Sequence, residues 1–329
     1  MTSGLVLGID TSNYTTSAAL CTFGGEILLN AKIPLGVKEG ERGLRQSDAV
    51  FLHTKNLPEA AGLVRNRLAE LGGPGVAAVA VSYAPRDAEG SYMPCFLAGV
   101  SAAETAAAAL QVPVMYFSHQ AGHIMAAVRS ACREAGTGVR GFLESEFIAF
   151  HVSGGTTDVL LCRPSDRPNR MGTRVPFTAE KIGGTLDINC GQAVDRAGVM
   201  MGMSFPCGAE MDGLALGYEG KVPRAKLNVR DAECNLSGLE NKAAELYGKI
   251  GDRALTSAFV LRHISDTLSR MTENVLEQYG KLPVIYSGGV MSSGYIRREL
   301  GRYGMFAEPA MSSDNACGTA LLGAYNGNL

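Results

Sequence analysis

Two histidines four residues apart, His119 and His123 in Ser118-His119-Gln120-Ala121-Gly122-His123, are the residues whose type and spacing point most directly to chemistry. On a helix that spacing stacks both imidazoles on one face, about 6 Å apart at Cβ, close enough to share a metal ion. The chain holds only five histidines, and these two follow directly on a strand expected at 112–117. Zinc proteases that use a related spacing place Glu immediately after the first His as general base; that position is Gln120 here, so protease chemistry is the weakest reading. A shared metal also needs a third protein ligand from elsewhere in the chain. The other reading, in which both rings satisfy hydrogen bonds at a helix start, stays open on spacing alone.

The elements that must carry this pair belong to a chain of 329 residues, 46% of them hydrophobic, enough for two domains of ordinary size. A formal net charge of -2 excludes a globally basic nucleic-acid binder, though not a local basic patch or a partner that supplies one. Lys and Arg cluster at 221–230 and 297–302, where the ordinary fate of such runs is a solvated face. The eight cysteines stand singly, without C-x-x-C spacing; neither a disulfide framework nor a cysteine metal site is expected, and reduced thiols fit a cytosol. Leu5 follows the N-terminus without a basic region, a long apolar segment or a cleavage site, so no signal peptide is expected. The alanine-rich run 96–110 contains Glu104 and reads as a buried helix rather than a membrane span. A cytoplasmic protein without membrane contact is the expectation.

Three short strands are predicted at 5–10, 15–21 and 27–33, the last two joined tightly at Gly24-Gly25. A helix follows from Ser47 or Asp48 to about Leu71, stopped by Gly72-Gly73-Pro74-Gly75. Strand 76–82, helix 96–110 and strand 112–117 then alternate as in an α/β sheet with crossover helices. A comparable series restarts with strands at 147–152 and 158–162 around Ser153-Gly154-Gly155-Thr156-Thr157. Because Gly8 to Ser17 repeats that strand, turn, strand device, the chain reads as a duplicated unit. Residues 163–181 are expected to form a long hairpin or loop. Later elements are helices at 187–202 and 257–279, a strand at 283–286, the turn Ser287-Gly288-Gly289-Val290, and helices at 293–303 and 314–326. Glycines and small hydroxylated residues gather at strand ends, where exposed backbone N–H groups make anion-binding nests. Asp10, Thr11, Ser12, Gly288 and Gly289 are therefore candidate phosphate-turn residues, and a nucleotide held between two domains is the expected ligand.

Eight motifs stand in one order along nearly the whole chain: Gly8-Ile9-Asp10-Thr11-Ser12; His119 to His123; Val152-Ser153-Gly154-Gly155; Thr185-Leu186-Asp187 with Gly191-Gln192-Ala193-Val194-Asp195; Phe205-Pro206-Cys207-Gly208; Leu236-Ser237-Gly238-Leu239; Gly288-Gly289-Val290; and Ser313-Asp314-Asn315. In this the sequence resembles the transferases that make threonylcarbamoyladenosine in tRNA, once described as glycoprotein endopeptidases. The resemblance implies an α/β actin-like ATPase (ASKHA) fold, two duplicated RNase-H-like domains around a nucleotide cleft. The expected domains are 1–118, completed by helix 314–326, and 119–313 with insertions. It also implies that His119, His123 and Asp314 bind one divalent metal ion, Fe2+ or Zn2+. Ser153, Gly154, Gly155, Asp195, Gly208 and Ser293 would line the site for ATP or threonylcarbamoyl-adenylate, with Asp195 on the ribose hydroxyls. The activity implied is metal-assisted transfer of threonylcarbamoyl from its adenylate to N6 of the adenosine beside the tRNA anticodon. Partners implied are tRNA, a paralogous subunit and a small P-loop ATPase.

Several positions depart from the family pattern. Ser118 and Ala121 stand where the family carries His and Glu around the H-x-x-x-H motif, Thr156 where His is usual, Gln192 for Glu, Ser293 for Asn and Glu240 for Lys. The acidic stretch following the family's G-E-S/T motif is thinned to Gly183 to Asn189, with Ile188 in it, and Ala84-Pro85-Arg86 replaces a G-P-G turn. The three implied metal ligands are kept while groups around the substrate change. That pattern also suits a divergent paralogue that binds a nucleotide or carbamoylates another substrate, or a noncatalytic subunit.

Overall fold

The structure, a computed structural model, describes residues 4–12, 14–36, 44–312 and 316–327. Two compact units divide the chain: Met1–Ala126 with Ser165–Phe177 and Asp314–Leu329, and Ala127–Pro164 with Thr178–Ser313. The first expected domain ended at residue 118; the first unit runs eight residues into the following helix and takes in the 165–177 hairpin.

In the first unit, strands β1 (Leu5–Asp10), β2 (Thr15–Thr22) and β3 (Ile27–Pro34) lead into helix α1 (Gln46–Glu70), then β4 (Val76–Ala84), α2 (Phe96–Leu110) and β5 (Val114–Ser118). They form one sheet in the order β3-β2-β1-β4-β5. β1 pairs antiparallel with β2 and parallel with β4, which pairs parallel with β5. Alternation decides the faces. Leu5, Leu7 and Ile9 join Ala18, Leu20, Val79 and Val81 under α1 and α2, whose Ala60, Val64, Ala103 and Ala107 complete that core. The opposite face of β1 meets the C-terminal helix Cys317–Asn326 so closely that a Cβ on Gly8 would lie 2.6 Å from the Ala316 carbonyl oxygen. Helix α3 (His119–Ala135) begins on the residue after β5.

The second unit starts within α3 and continues through α4 (Val139–Leu143), β6 (Phe147–Val152), β7 (Thr157–Pro164) and β8 (Phe177–Thr185). Helices α5 (Cys190–Met200) and α6 (Gly208–Leu216) are followed by the short strands β9 (Val229–Arg230) and β10 (Glu233–Cys234). Then come α7 (Ser237–Ile250), α8 (Arg253–Tyr279), β11 (Val284–Ser287), α9 (Gly294–Leu300) and β12 (Met305–Phe306). The sheet order is β12-β11-β6-β7-β8-β10-β9. β6 repeats the environment of β1, with an antiparallel partner, β7, on one side and a parallel partner, β11, on the other. The core lies between this sheet and the helices, with the stretch of α8 from Leu255 to Ser269 mostly buried in it.

Helix α8 begins a turn ahead of the expected 257 because the Asp252 carboxylate accepts the Ala254 and Leu255 N–H groups, ending the helix there as a side-chain N-cap does. Helix α5 begins at Cys190 rather than 187, since Asp187 is spent on α7: its carboxylate accepts the N–H groups of Leu236 and Ser237. Part of the expected loop 163–181 is strand β8, and the intervening hairpin closes at the Pro168–Arg174 bridge. All eight cysteines are buried thiols outside any disulfide. Among the described residues no helix is long and apolar enough to cross a membrane.

Candidate functional site

The parallel strands β1, β4 and β5 end together, and their carboxyl ends are where an open α/β sheet binds ligands. At that edge stand Asp10 on β1, Ser82 on β4 and His119, the residue after β5. Asp10 is 1% exposed. Its Oδ1 accepts the Ser12 N–H at 2.8 Å, and its Oδ2 meets Ser82 Oγ at 2.7 Å and His119 Nδ1 at 2.8 Å. Burial pushes this carboxyl up, but the electrostatic attraction and hydrogen bond of the His119 ring, with the bonds from Ser12 and Ser82, outweigh it and hold the group below its ordinary range. Ser82 Oγ in turn meets Thr319 Oγ1 of the C-terminal helix at 3.0 Å.

His119 and His123 are both buried in the first turns of α3. Their rings stand nearly perpendicular, 80° apart with centroids separated by 4.4 Å, and Nε2 faces Nε2 at 3.0 Å. Two imidazoles on one tetrahedral divalent ion would hold their nitrogens about 3.3 Å apart, so the pair fits a shared ion with a shift of tenths of an ångström. Gly122, between them, packs on the C-terminal helix: a Cβ on Gly318 would lie 1.8 Å from the Gly122 carbonyl oxygen. Asp314, the expected third ligand, lies outside the described residues. Among the described residues no group of three or more His, Cys, Asp or Glu is gathered as a metal site.

Of the other expected phosphate-turn residues, Thr11 is engaged elsewhere: its hydroxyl donates to the Cys95 carbonyl and accepts the Gly99 N–H, fixing the start of α2. Ser12 is fully buried, and among the described residues its Oγ has no hydrogen-bond partner.

The remaining expected residues lie in the second unit and gather at the carboxyl ends of β6 and β11. Ser153 closes the turn after β6, its N–H bonding the Thr156 carbonyl and its Oγ accepting the Thr156 N–H. Gly154 and Gly155 are exposed on that turn. Gly191, in the first turn of α5, lies against it, where a Cβ would come 2.6 Å from Gly154 Cα. Gly288, after β11, has φ +99°, and a Cβ there would meet the Val152 carbonyl at 2.3 Å; Gly289 opens the short 3-10 turn Gly289–Ser292. The two glycine turns are therefore neighbours. Asp195 on α5 accepts the Cys207 N–H at 2.8 Å, which brings Gly208, first residue of α6, to the same helix. Burial raises the Asp195 carboxyl, opposed by that bond. Ser293 caps α9, its Oγ accepting the Ile296 N–H and donating to Asp212 of α6.

Gln192 accepts the Asn189 N–H at the start of α5 and Glu240 pairs with Arg196, so two of the departures have local structural tasks. Ser82, which bonds Asp10, and Thr319, which bonds Ser82, escaped the sequence reading. A polar residue closing the apolar strand Val76 to Val81 was the available signal for Ser82; Thr319, inside an apolar helix, offered none that spacing could connect to Asp10.

The family described as TsaD: tRNA N6-adenosine threonylcarbamoyltransferase matches residues 52–320 of this sequence. A tRNA N6-adenosine threonylcarbamoyltransferase of Streptococcus suis strain 05ZYH33 is 29% identical over 310 residues, 91% of this chain and 84% of that one. Its counterpart in Syntrophomonas wolfei is 28% identical over 347 residues, covering 98% and 92%. Among solved structures, full-length HypF in its phosphate- and nucleotide-bound form aligns with TM-score 0.56 and 12% identity, covering 98% of this chain and 46% of that one. The activator of 2-hydroxyisocaproyl-CoA dehydratase from Clostridium difficile, with bound ADPNP, aligns with TM-score 0.52 and 12% identity, covering 98% and 94%. At such identities these likenesses speak to the fold alone, which is the actin-like ATPase fold.

Proposed function

The chain belongs to the tRNA N6-adenosine threonylcarbamoyltransferase family and is a transferase; from that premise we propose that it moves threonylcarbamoyl from threonylcarbamoyl-adenylate to N6 of the adenosine beside a tRNA anticodon. In that reaction the N6 amine forms a bond to the carbamoyl carbon, the bond from that carbon to the phosphate oxygen breaks, AMP leaves, and the amine proton passes to solvent. The amine is itself the nucleophile, so no activated serine or cysteine is needed. Buried thiols such as Cys162 and Cys190 suit that, since burial pushes both well above the ordinary thiol range.

The exposed turn Ser153-Gly154-Gly155 and its neighbour at Gly288-Gly289 would offer backbone N–H groups to the phosphates of ATP or the adenylate. Asp195, one oxygen of which is taken by Cys207 N–H, keeps the other for ribose hydroxyls. His119, His123 and Asp314 would hold Fe2+ or Zn2+, which when bound supplies Lewis-acid polarisation of a carbonyl or phosphoryl oxygen. The observation that carries this part of the reading is the convergence of the two Nε2 atoms at 3.0 Å. Partners proposed on the family's account are tRNA, a paralogous subunit and a small P-loop ATPase, and the setting is the cytoplasm.

A divergent paralogue that binds a nucleotide without modifying tRNA is the second reading, favoured by the commitment of the Ser293 hydroxyl to Asp212. Nucleoside analysis of tRNA from a deletion strain separates the two. Loss of threonylcarbamoyladenosine supports the transferase, and an unchanged level supports the paralogue.

A further inference from the structure

We infer that Asp10 is a positioning residue that sets the proton on His119, and that it is not a contact for phosphate. This rests on His119 and His123 as metal ligands. A phosphate contact at Asp10 would place two anions together at a carboxylate that is 1% exposed and already receives three donors. The same three bonds suit another task.

The directions of the bonds follow from the chemistry of the partners. A carboxylate only accepts, so Ser82 Oγ gives its proton to Asp10 Oδ2. The contact of 3.0 Å between Ser82 Oγ and Thr319 Oγ1 must then run from Thr319, whose hydroxyl donates to the serine oxygen. On the other side His119 reaches the same oxygen through Nδ1, which must carry a proton to make the bond. A neutral imidazole with Nδ1 protonated has its lone pair on Nε2. That lone pair points toward the Nε2 of His123, 3.0 Å away, the direction from which both rings would grip an ion. Buried carboxylates that accept the second N–H of a ligating histidine fix its tautomer and orientation in this way. Line Thr319, Ser82, Asp10, His119 therefore runs from the C-terminal helix through β4 and β1 to the first turn of α3.

The test uses the full chain, freed of metal. Imidazole nitrogen NMR should show His119 in the form protonated at Nδ1 and bare at Nε2. In Asp10→Asn that preference should disappear, and cobalt or zinc affinity by calorimetry should fall about ten- to a hundred-fold. Ser82→Ala and Thr319→Val, milder changes to the same line, should give smaller losses in that order. Far-ultraviolet circular dichroism and urea midpoints identify variants that fold. The inference is overturned if folded Asp10→Asn keeps the wild-type tautomer, or binds metal within two-fold of wild type while His119→Ala does not bind it. Should His119→Ala and His123→Ala bind metal like wild type, the metal reading fails, and the tautomer in the metal-free protein still decides the role of Asp10.

Discussion

At the scale of single residues, the pair His119 and His123 is the proposed metal grip, and its spacing was legible because a four-residue interval has one geometric meaning on a helix. The acidic group behind it was not. Asp10 sits 109 positions away from His119, and the spacing of neither residue announces the bond; only the common ending of β1, β4 and β5 brings them together. Substituting His119 or His123 with Ala should reduce bound metal to background by elemental analysis while leaving the circular dichroism spectrum intact. Asp187 makes a different kind of prediction. Burial raises its carboxyl, but N–H groups of Leu236, Ser237 and Ile188 prevail and hold it well below the ordinary carboxylate range. Its stabilising effect is therefore present above roughly pH 4 and is lost as pH falls below that toward the lowered folded value. Asp187→Asn should cost about 1 kcal/mol at pH 7, the value of a helix cap, with the gap to wild type closing in acid; urea melts at several pH values check this.

Among elements, the long periodic ones were readable: the expected helix at 96–110 and strand at 147–152 coincide with α2 and β6. Helix α7 was not among the expected elements, although Leu239 and Ala243 are buried at helical spacing after Ser237-Gly238. Glycines at close approaches decide how elements meet. Gly318 on the C-terminal helix leaves no room for a Cβ beside the Gly122 carbonyl, so Gly318→Ala should force the helix away from α3. The expected loss is about 2 kcal/mol from overpacking, together with weaker metal binding; a thermal melt and a metal titration on one preparation read both. Gly288→Ala faces a positive φ and the Val152 carbonyl at once, and should cost about 3 kcal/mol, read by a urea melt.

On the scale of the whole molecule, the duplication seen in the sequence corresponds to β1 and β6 having the same two kinds of neighbour. Global stability should respond to pH through buried His263, whose imidazole burial and Lys242 depress to about 4. The unfolded chain takes up that proton near pH 6.5 while the folded one resists it, so stability falls as pH drops from there toward about 4. His263→Phe should flatten the fall by roughly 1 kcal/mol at pH 5, measured by urea unfolding. The activity itself is the most direct test. Purified protein, threonylcarbamoyl-adenylate, unmodified tRNA and the proposed partner proteins are combined, and digested tRNA is analysed for threonylcarbamoyladenosine by mass spectrometry. The modified nucleoside should form with the wild-type chain and fall to background with His119→Ala. Its absence with wild type, in a mixture where a relative from Streptococcus suis forms it, would contradict the account.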